Sequence, residues 1–185
     1  MKIYTKKGDS GQTSGLNGEV LPKNHPVIHL TGELDELNAH LGLIKAMLLS
    51  DNSWQFTWKS SCNFINKIQK NLMKLMSHVS DTGCEKYFIN NDDVTGIEKE
   101  IDRLFENIPK QHELIIPGKN IIEAQIQIAR TAARKAERNF FAVNKERPLC
   151  AQAGVYLNRL SDYLFILSQQ ESLINVNFIN QITGL

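Results

Sequence analysis

The sequence predicts an all-α protein folded as a five-helix bundle. Two observations carry this. Five long segments repeat their apolar residues at helical spacing, and turn-forming residues separate them, with little other regular structure legible. The segments fall at 32–49, 53–79, 92–108, 120–144 and 152–171. A chain of 185 residues is long enough to bury a sizeable core. No internal repeat, low-complexity tract or Gly/Ser/Pro-rich linker divides it. A single domain over 1–185 is therefore expected, with 1–25 as an N-terminal loop and 30–175 as the bundle.

Ahead of the first helix, the stretch from Tyr4 to Gly18 mixes glycines with hydroxyl residues and the lysines Lys6 and Lys7. Such a composition suits neither a strand nor a helix interior, so an exposed loop is expected. Glycine lets main-chain N–H groups turn toward a phosphate, and hydroxyls and lysines add donors. No G-K-[ST] closes the stretch, so it is not a Walker A loop. A plain flexible N-terminus is the alternative.

The first helix is expected to open at Gly32 with Glu33, Asp35 and Glu36, acids that suit a positive N-terminal dipole whatever their function. Leu34, Leu37 and Leu41 begin its core stripe, and Asp35 beside them can pair with an arginine across a helix or subunit contact. His25 and His29 have the spacing of a metal pair, but Pro26 lies between them in a segment expected to be extended. The second helix shows only its period. Thr95 and Glu98 suit a capping box near the third helix start, with Asn91 and Asp92 as competing caps; Asn120 and Glu123 suit the fourth. Pro109, Pro117-Gly118 and Arg147-Pro148 mark the breaks.

The fourth helix is the most informative. Ile126, Ala129, Ala133, Ala136 and Phe140 form a core stripe with small residues that permit close helix approach. On another face Arg130, Arg134 and Arg138 stand one turn apart, where each like-charged i,i+4 pair costs about 0.2–0.5 kcal/mol. Such a strip reads as a site awaiting an anion, with a solvated basic face as the plainer reading. In the fifth helix, Asn158 and Asp162 border Leu157, Leu160, Leu164 and Leu167, a position where polar groups usually satisfy their neighbours.

A formal net charge of +1 argues against bulk binding of nucleic acid or anionic membrane, so the anion expected is small. No signal-peptide-like start or membrane-length apolar run is present, and a cytoplasmic protein is expected. Cys62, Cys84 and Cys150 are widely spaced and odd in number, which fits reduced thiols. His40, His78 and His112 are scattered, and spacing assembles no catalytic triad, carboxylate pair or metal-ligand set. A reaction that brings its own nucleophile would need mainly positioning and charge stabilisation.

Four motifs in order, from Tyr4 to about Ser168, are Tyr-Thr-Lys-Lys-Gly-Asp-Ser-Gly-Gln-Thr, Gly-Glu-Leu-Asp-Glu-Leu-Asn, Arg-x-x-x-Arg-Lys-Ala-Glu-Arg and Tyr-Leu-Asn-Arg-Leu-Ser-Asp-Tyr-Leu-Phe. Together they resemble the PduO-type ATP:cob(I)alamin adenosyltransferases; residues 51–105 do so only in helical pattern. The resemblance implies a trimeric five-helix bundle with active sites between subunits. It also implies attack of corrinoid Co(I) on the 5′ carbon of ATP, with Mg²⁺ on the phosphates, giving adenosylcobalamin and triphosphate. A corrinoid reductase and an adenosylcobalamin-dependent enzyme are the implied partners.

By the same resemblance, Thr5, Lys6, Lys7, Gly8, Thr13, Ser14 and Lys23 belong to the nucleotide-binding N-terminal loop. Arg134, Lys135 and Arg138 would hold phosphates, Glu137 would fix the arginines or the metal, and Asn158 would contact the nucleoside. Asp35 and Arg130 resemble an intersubunit salt bridge. Leu114 matches the position of an aromatic residue that displaces the lower axial ligand of the corrinoid. Three residues depart from the family pattern: Leu114 for that aromatic, Lys135 for an arginine, and Lys119 for a glycine. Lysine cannot make the forked contact of arginine. A non-catalytic member that binds ATP or corrinoid as carrier, chaperone or sensor is therefore the alternative, with a purely structural bundle behind it.

Overall fold

The computed structural model describes residues 4, 6, 8–50, 55–109 and 115–183, and the side chains of these except 55–57 and 174–183. Five α-helices follow a short hairpin: β1 Gln12–Ser14, β2 Val20–Pro22, α1 Pro26–Ser50, α2 Gln55–Ser80, α3 Asn91–Phe105, α4 Ile121–Glu146 and α5 Ala151–Thr183. A single 3-10 turn, Glu85–Tyr87, precedes α3. Helix α4 lies against both α1 and α5, while α2 packs on α1 and α3 on α5.

The apolar stripes read from the sequence form the core. Leu34, Leu37 and Leu41 of α1, Ile126, Ala129, Ala133, Ala136 and Phe140 of α4, and Leu157, Leu160, Leu164 and Leu167 of α5 are all buried. Each fully buried leucine contributes about 1.5–3 kcal/mol relative to exposure. Small residues bring α4 and α5 together: a Cβ placed on Gly154 would lie 2.9 Å from Cε1 of Phe140 and from Cζ of Phe141. No helix among the described residues is long and apolar enough to cross a membrane. Cys62, Cys84 and Cys150 are free, and Cys62 is buried.

Several local expectations need correction. The N-terminal stretch is not all loop, because β1 and β2 pair antiparallel with Thr13 opposite Leu21. Glycines allow this rather than prevent it: Gly18, at φ +80°, closes the connecting turn by donating from its N–H to Gly15 O at 3.1 Å. The segment around Pro26 is not extended either. Helix α1 begins at Pro26 rather than at Gly32, since proline suits the first helical position, and His25 Nδ1 accepts from Val27 N at 3.2 Å. Glu33, Asp35 and Glu36 therefore lie beyond the first turn, where the dipole explains little, and His29 does occupy the helix with His25 just outside it.

The third helix is capped by Asn90, not by Asn91, Asp92 or a Thr95–Glu98 box. Asn90 Oδ1 accepts from Asp93 N at 2.9 Å, and Asp93 Oδ2 accepts in return from Asn90 N at 3.2 Å. Asp93 also accepts from Lys74 and Asn71 of α2, which rewards the earlier start. At α4 the expected cap is present, with Asn120 Oδ1 accepting from Glu123 N at 2.8 Å. Glu123 reaches past it, accepting from Gly118 N at 2.7 Å and Lys119 N at 3.2 Å.

Candidate functional site

Helices α4 and α5 run antiparallel, and two polar pairs clasp them ten residues apart on each helix. Gln127 Nε2 donates to Ser168 Oγ at 3.0 Å, and Asn158 Nδ2 donates to Glu137 Oε1 at 2.9 Å. At 1.5 Å per residue these clasps stand about 15 Å apart. The arginine strip runs along this edge. Arg130 is half-buried, with Nε donating to Gln127 Oε1 at 2.6 Å, whereas Arg134 and Arg138 are exposed and form no ion pair among the described residues. Two guanidiniums one turn apart, with no ion pair among the described residues, can receive an anion without first giving up a partner.

Among the described residues Glu137 forms no ion pair with these arginines. Its Oε1 is bonded to Asn158, whose own Oδ1 accepts from Arg159 Nη1 at 2.8 Å, and Arg159 Nε donates to Glu98 of α3 at 2.9 Å. This chain of contacts holds Asn158 on the border of the strip. Asp162 is exposed, 3.9 Å from Arg159.

Lys135 faces away from the strip. Its Nζ lies 2.8 Å from Glu36 Oε2 and 4.0 Å from Glu33 Oε1 on α1, and Asn139 Nδ2 donates to both oxygens of Glu33. The hydrogen bond with Lys135 holds the Glu36 carboxyl below its ordinary range and raises the lysine in turn. Asp35 is exposed and makes no ion pair with Arg130 or any other described residue. The reason is geometric: Asp35 is on the outer face of α1, while Arg130 is hydrogen-bonded to Gln127, which is itself clasped to α5. A second copy of the chain would have to bring them together.

The hairpin supplies the remaining candidates at the end of the bundle where α4 stops. Arg147 is the C-cap of α4, extended ahead of Pro148, and its Nη2 pairs with Glu19 in the hairpin. Thr13 is half-buried and Ser14 exposed on β1. Lys23 N donates to Gly11 O at 2.9 Å, and a Cβ on Gly8 would come within 3.2 Å of Lys23 Nζ. Lys6 is exposed at φ +61°. A cavity of about 280 Å³ lies beneath, lined by Glu19, His25, Pro26, Val27, Val143, Glu146 and Arg147. Thr5, Lys7 and Leu114 lie outside the described residues. So does His112.

Sequence reasoning missed Gln127, Ser168, Asn139 and the Glu19–Arg147 pair. Only Gln127 carried a local signal, one turn before Arg130; the others depend on contacts distant in sequence. Among the described residues no three His, Cys, Asp or Glu side chains converge to hold a metal ion.

Residues 3–171 match the family model described as cobalamin adenosyltransferase. The chain is similar to the corrinoid adenosyltransferase PduO of Salmonella typhimurium, 31% identical over 175 residues. That alignment covers 92% of this chain and 50% of the relative, so the chain spans about half the length of this PduO protein. A corrinoid adenosyltransferase of Citrobacter freundii is 32% identical over 171 residues, covering 92% of this chain and 94% of that protein. Among solved structures, a variant PduO-type ATP:corrinoid adenosyltransferase from Lactobacillus reuteri, complexed with cobalamin and ATP, superposes with a TM-score of 0.84 at 29% identity. The superposition covers 94% of this chain and 95% of that one. Sequence match, chain coverage and fold agree, and the chain belongs to the cobalamin adenosyltransferase family.

Proposed function

We propose that this protein is a corrinoid adenosyltransferase, moving the 5′-deoxyadenosyl group of ATP to Co(I) of cob(I)alamin and releasing triphosphate. The observation that carries the reading is the exposed pair Arg134 and Arg138, without an ion pair among the described residues, on an edge whose border holds Asn158. In the reaction the cobalt electron pair forms the bond to C5′ as cobalt goes from Co(I) to Co(III). The C5′–oxygen bond breaks, and its electrons leave with the triphosphate. The substrate brings the nucleophile, so the protein has to place two reactants and stabilise the charge gathering on the leaving group.

Arg134 and Arg138 take that charge, with Lys6, Lys7 and Lys23 of the N-terminal segment closing over the phosphates and Thr5, Gly8, Thr13 and Ser14 supplying further donors. Lys135 lends its charge from the α1 side. Asn158, oriented by Glu137 and Arg159, contacts the nucleoside, and Leu114 walls the lower corrinoid face. Mg²⁺ would be held chiefly by phosphate oxygens, as that ion commonly is, since the described residues offer no converging ligand set. Asp35 of one subunit meets Arg130 of the next in a homotrimer. The proposal includes a single domain, a cytoplasmic setting, a reductase that supplies Co(I) and an adenosylcobalamin-dependent enzyme that takes the product.

One observation favours a second reading. Lys135 is engaged by Glu36 and stands where the family pattern has arginine, which suits a member that binds ATP or corrinoid without turnover and serves as carrier, chaperone or sensor. An anaerobic absorbance assay with cob(I)alamin and Mg-ATP separates the two. Loss of the Co(I) band with growth of light-sensitive adenosylcobalamin supports the enzyme. ATP binding without product, beside an active relative in the same assay, supports the binding-only protein.

A further inference from the structure

Arg130 is held in a way that determines which of its edges is available. Ser168 has one hydroxyl proton, and Oγ donates it to Phe165 O at 2.7 Å. Towards side chains Ser168 Oγ can then only accept, and it does so from Gln127 Nε2 at 3.0 Å and Gln169 Nε2 at 3.1 Å. The Gln127 amide therefore has one allowed orientation, with Nε2 toward α5 and Oε1 toward Arg130. There Oε1 accepts from Arg130 Nε at 2.6 Å. Gln127 and Ser168 are both buried, so a flipped amide would set two donors against each other without water to relieve them. With Nε engaged, the Nη1–Nη2 edge of Arg130 remains, and it has no hydrogen bond among the described residues.

We infer that Gln127, locked by Ser168, is a positioning residue that presents the Nη1–Nη2 edge of Arg130 to Asp35 of a second copy of this chain. The inference rests on the proposed Asp35–Arg130 contact and deepens it. A guanidinium fixed through Nε meets a carboxylate with its fork already oriented, so less side-chain freedom is lost when subunits join. Ser168 on α5 then bears on an interface that it does not itself touch.

The test reads assembly, not turnover. Subunit dissociation is measured by sedimentation for wild type and Gln127→Met, each also in an Asp35→Asn background, with thermal unfolding to confirm folding. Methionine keeps the bulk of glutamine and loses the acceptor. Gln127→Met should weaken association about two- to tenfold, the scale of ordering one long side chain at an interface. In Asp35→Asn protein Gln127→Met should change association less than twofold. Equal weakening in both backgrounds, or none in either while Asp35→Asn does weaken assembly, overturns the role of Gln127 and leaves the Asp35–Arg130 contact standing. An unchanged Asp35→Asn assembly removes that contact, and the inference with it, whatever the wild-type turnover.

Discussion

Replacing Arg134 with alanine should make the protein more stable and a poorer enzyme. Arg134 is exposed and forms no ion pair among the described residues, so its removal strands nothing. It stands four residues from both Arg130 and Arg138, and each repulsion is worth about 0.2–0.5 kcal/mol. Relief of both gives about 0.4–1 kcal/mol, and alanine does not lower helix propensity. Glu137 keeps its negative charge while accepting from Asn158 and attracts Arg134 from three residues on, so this gain is an upper value. For a chain of this size the gain amounts to a melting temperature about 1–4 °C higher at low salt, shrinking as salt screens the charges. Loss of one charged hydrogen bond to phosphate costs about 1.5–3 kcal/mol, so KM for ATP should rise roughly 10- to 150-fold with the corrinoid KM unmoved. Thermal unfolding without nucleotide and steady-state kinetics with each substrate varied provide both readings. A lower melting temperature would show that Arg134 has a structural partner. An ATP KM within threefold of wild type would remove it from the phosphate site.

Asp35→Asn should weaken trimer formation and raise the corrinoid KM together, and an intact trimer with normal kinetics would contradict that. Gly154→Ala sets about 1 kcal/mol of helix propensity against overpacking of about 1–3 kcal/mol, because the new methyl meets Phe140, which is 1% exposed. Net destabilisation in urea unfolding is expected, whereas a gain of the full propensity term would mean that α4 and α5 separate freely. His78 is buried with Nε2 accepting from Cys150 N at 2.9 Å, and burial holds its pKa below the ordinary 6.5. The unfolded chain then binds more protons below pH 6.5. Stability contributed by neutral His78 is complete above that pH and declines as pH falls below it, so the acid-side slope should shrink in His78→Gln. An identical slope would exclude His78 from the response.

What could be read in advance followed from short-range pattern. The α4 stripe was legible because Ile126, Ala129, Ala133, Ala136 and Phe140 repeat at helical spacing, and period reports burial directly. The Asn120 cap was legible because its partner is three residues away. At α3 the same rule misled, since Asn90–Asp93 and Thr95–Glu98 both satisfy it locally, and Lys74 and Asn71 from α2 favour the earlier one. The sequence pattern places the start of α1 late because Pro26 reads locally as a breaker, whereas in the fold it is the first helical residue.

Sequence by itself determined the five helices, their buried faces, the family and the row of arginines, because each is written in residues a few positions apart. Tertiary structure decided which of the basic residues are available. Arg130 is tied by Gln127 to Ser168 and Lys135 by Glu36, while Arg134 and Arg138 remain without ion partners among the described residues. The physical reason is that a charge's chemistry depends on what lies within about 4 Å of it. For these residues those neighbours come from α1 and α5, far away along the chain and close only once it has folded.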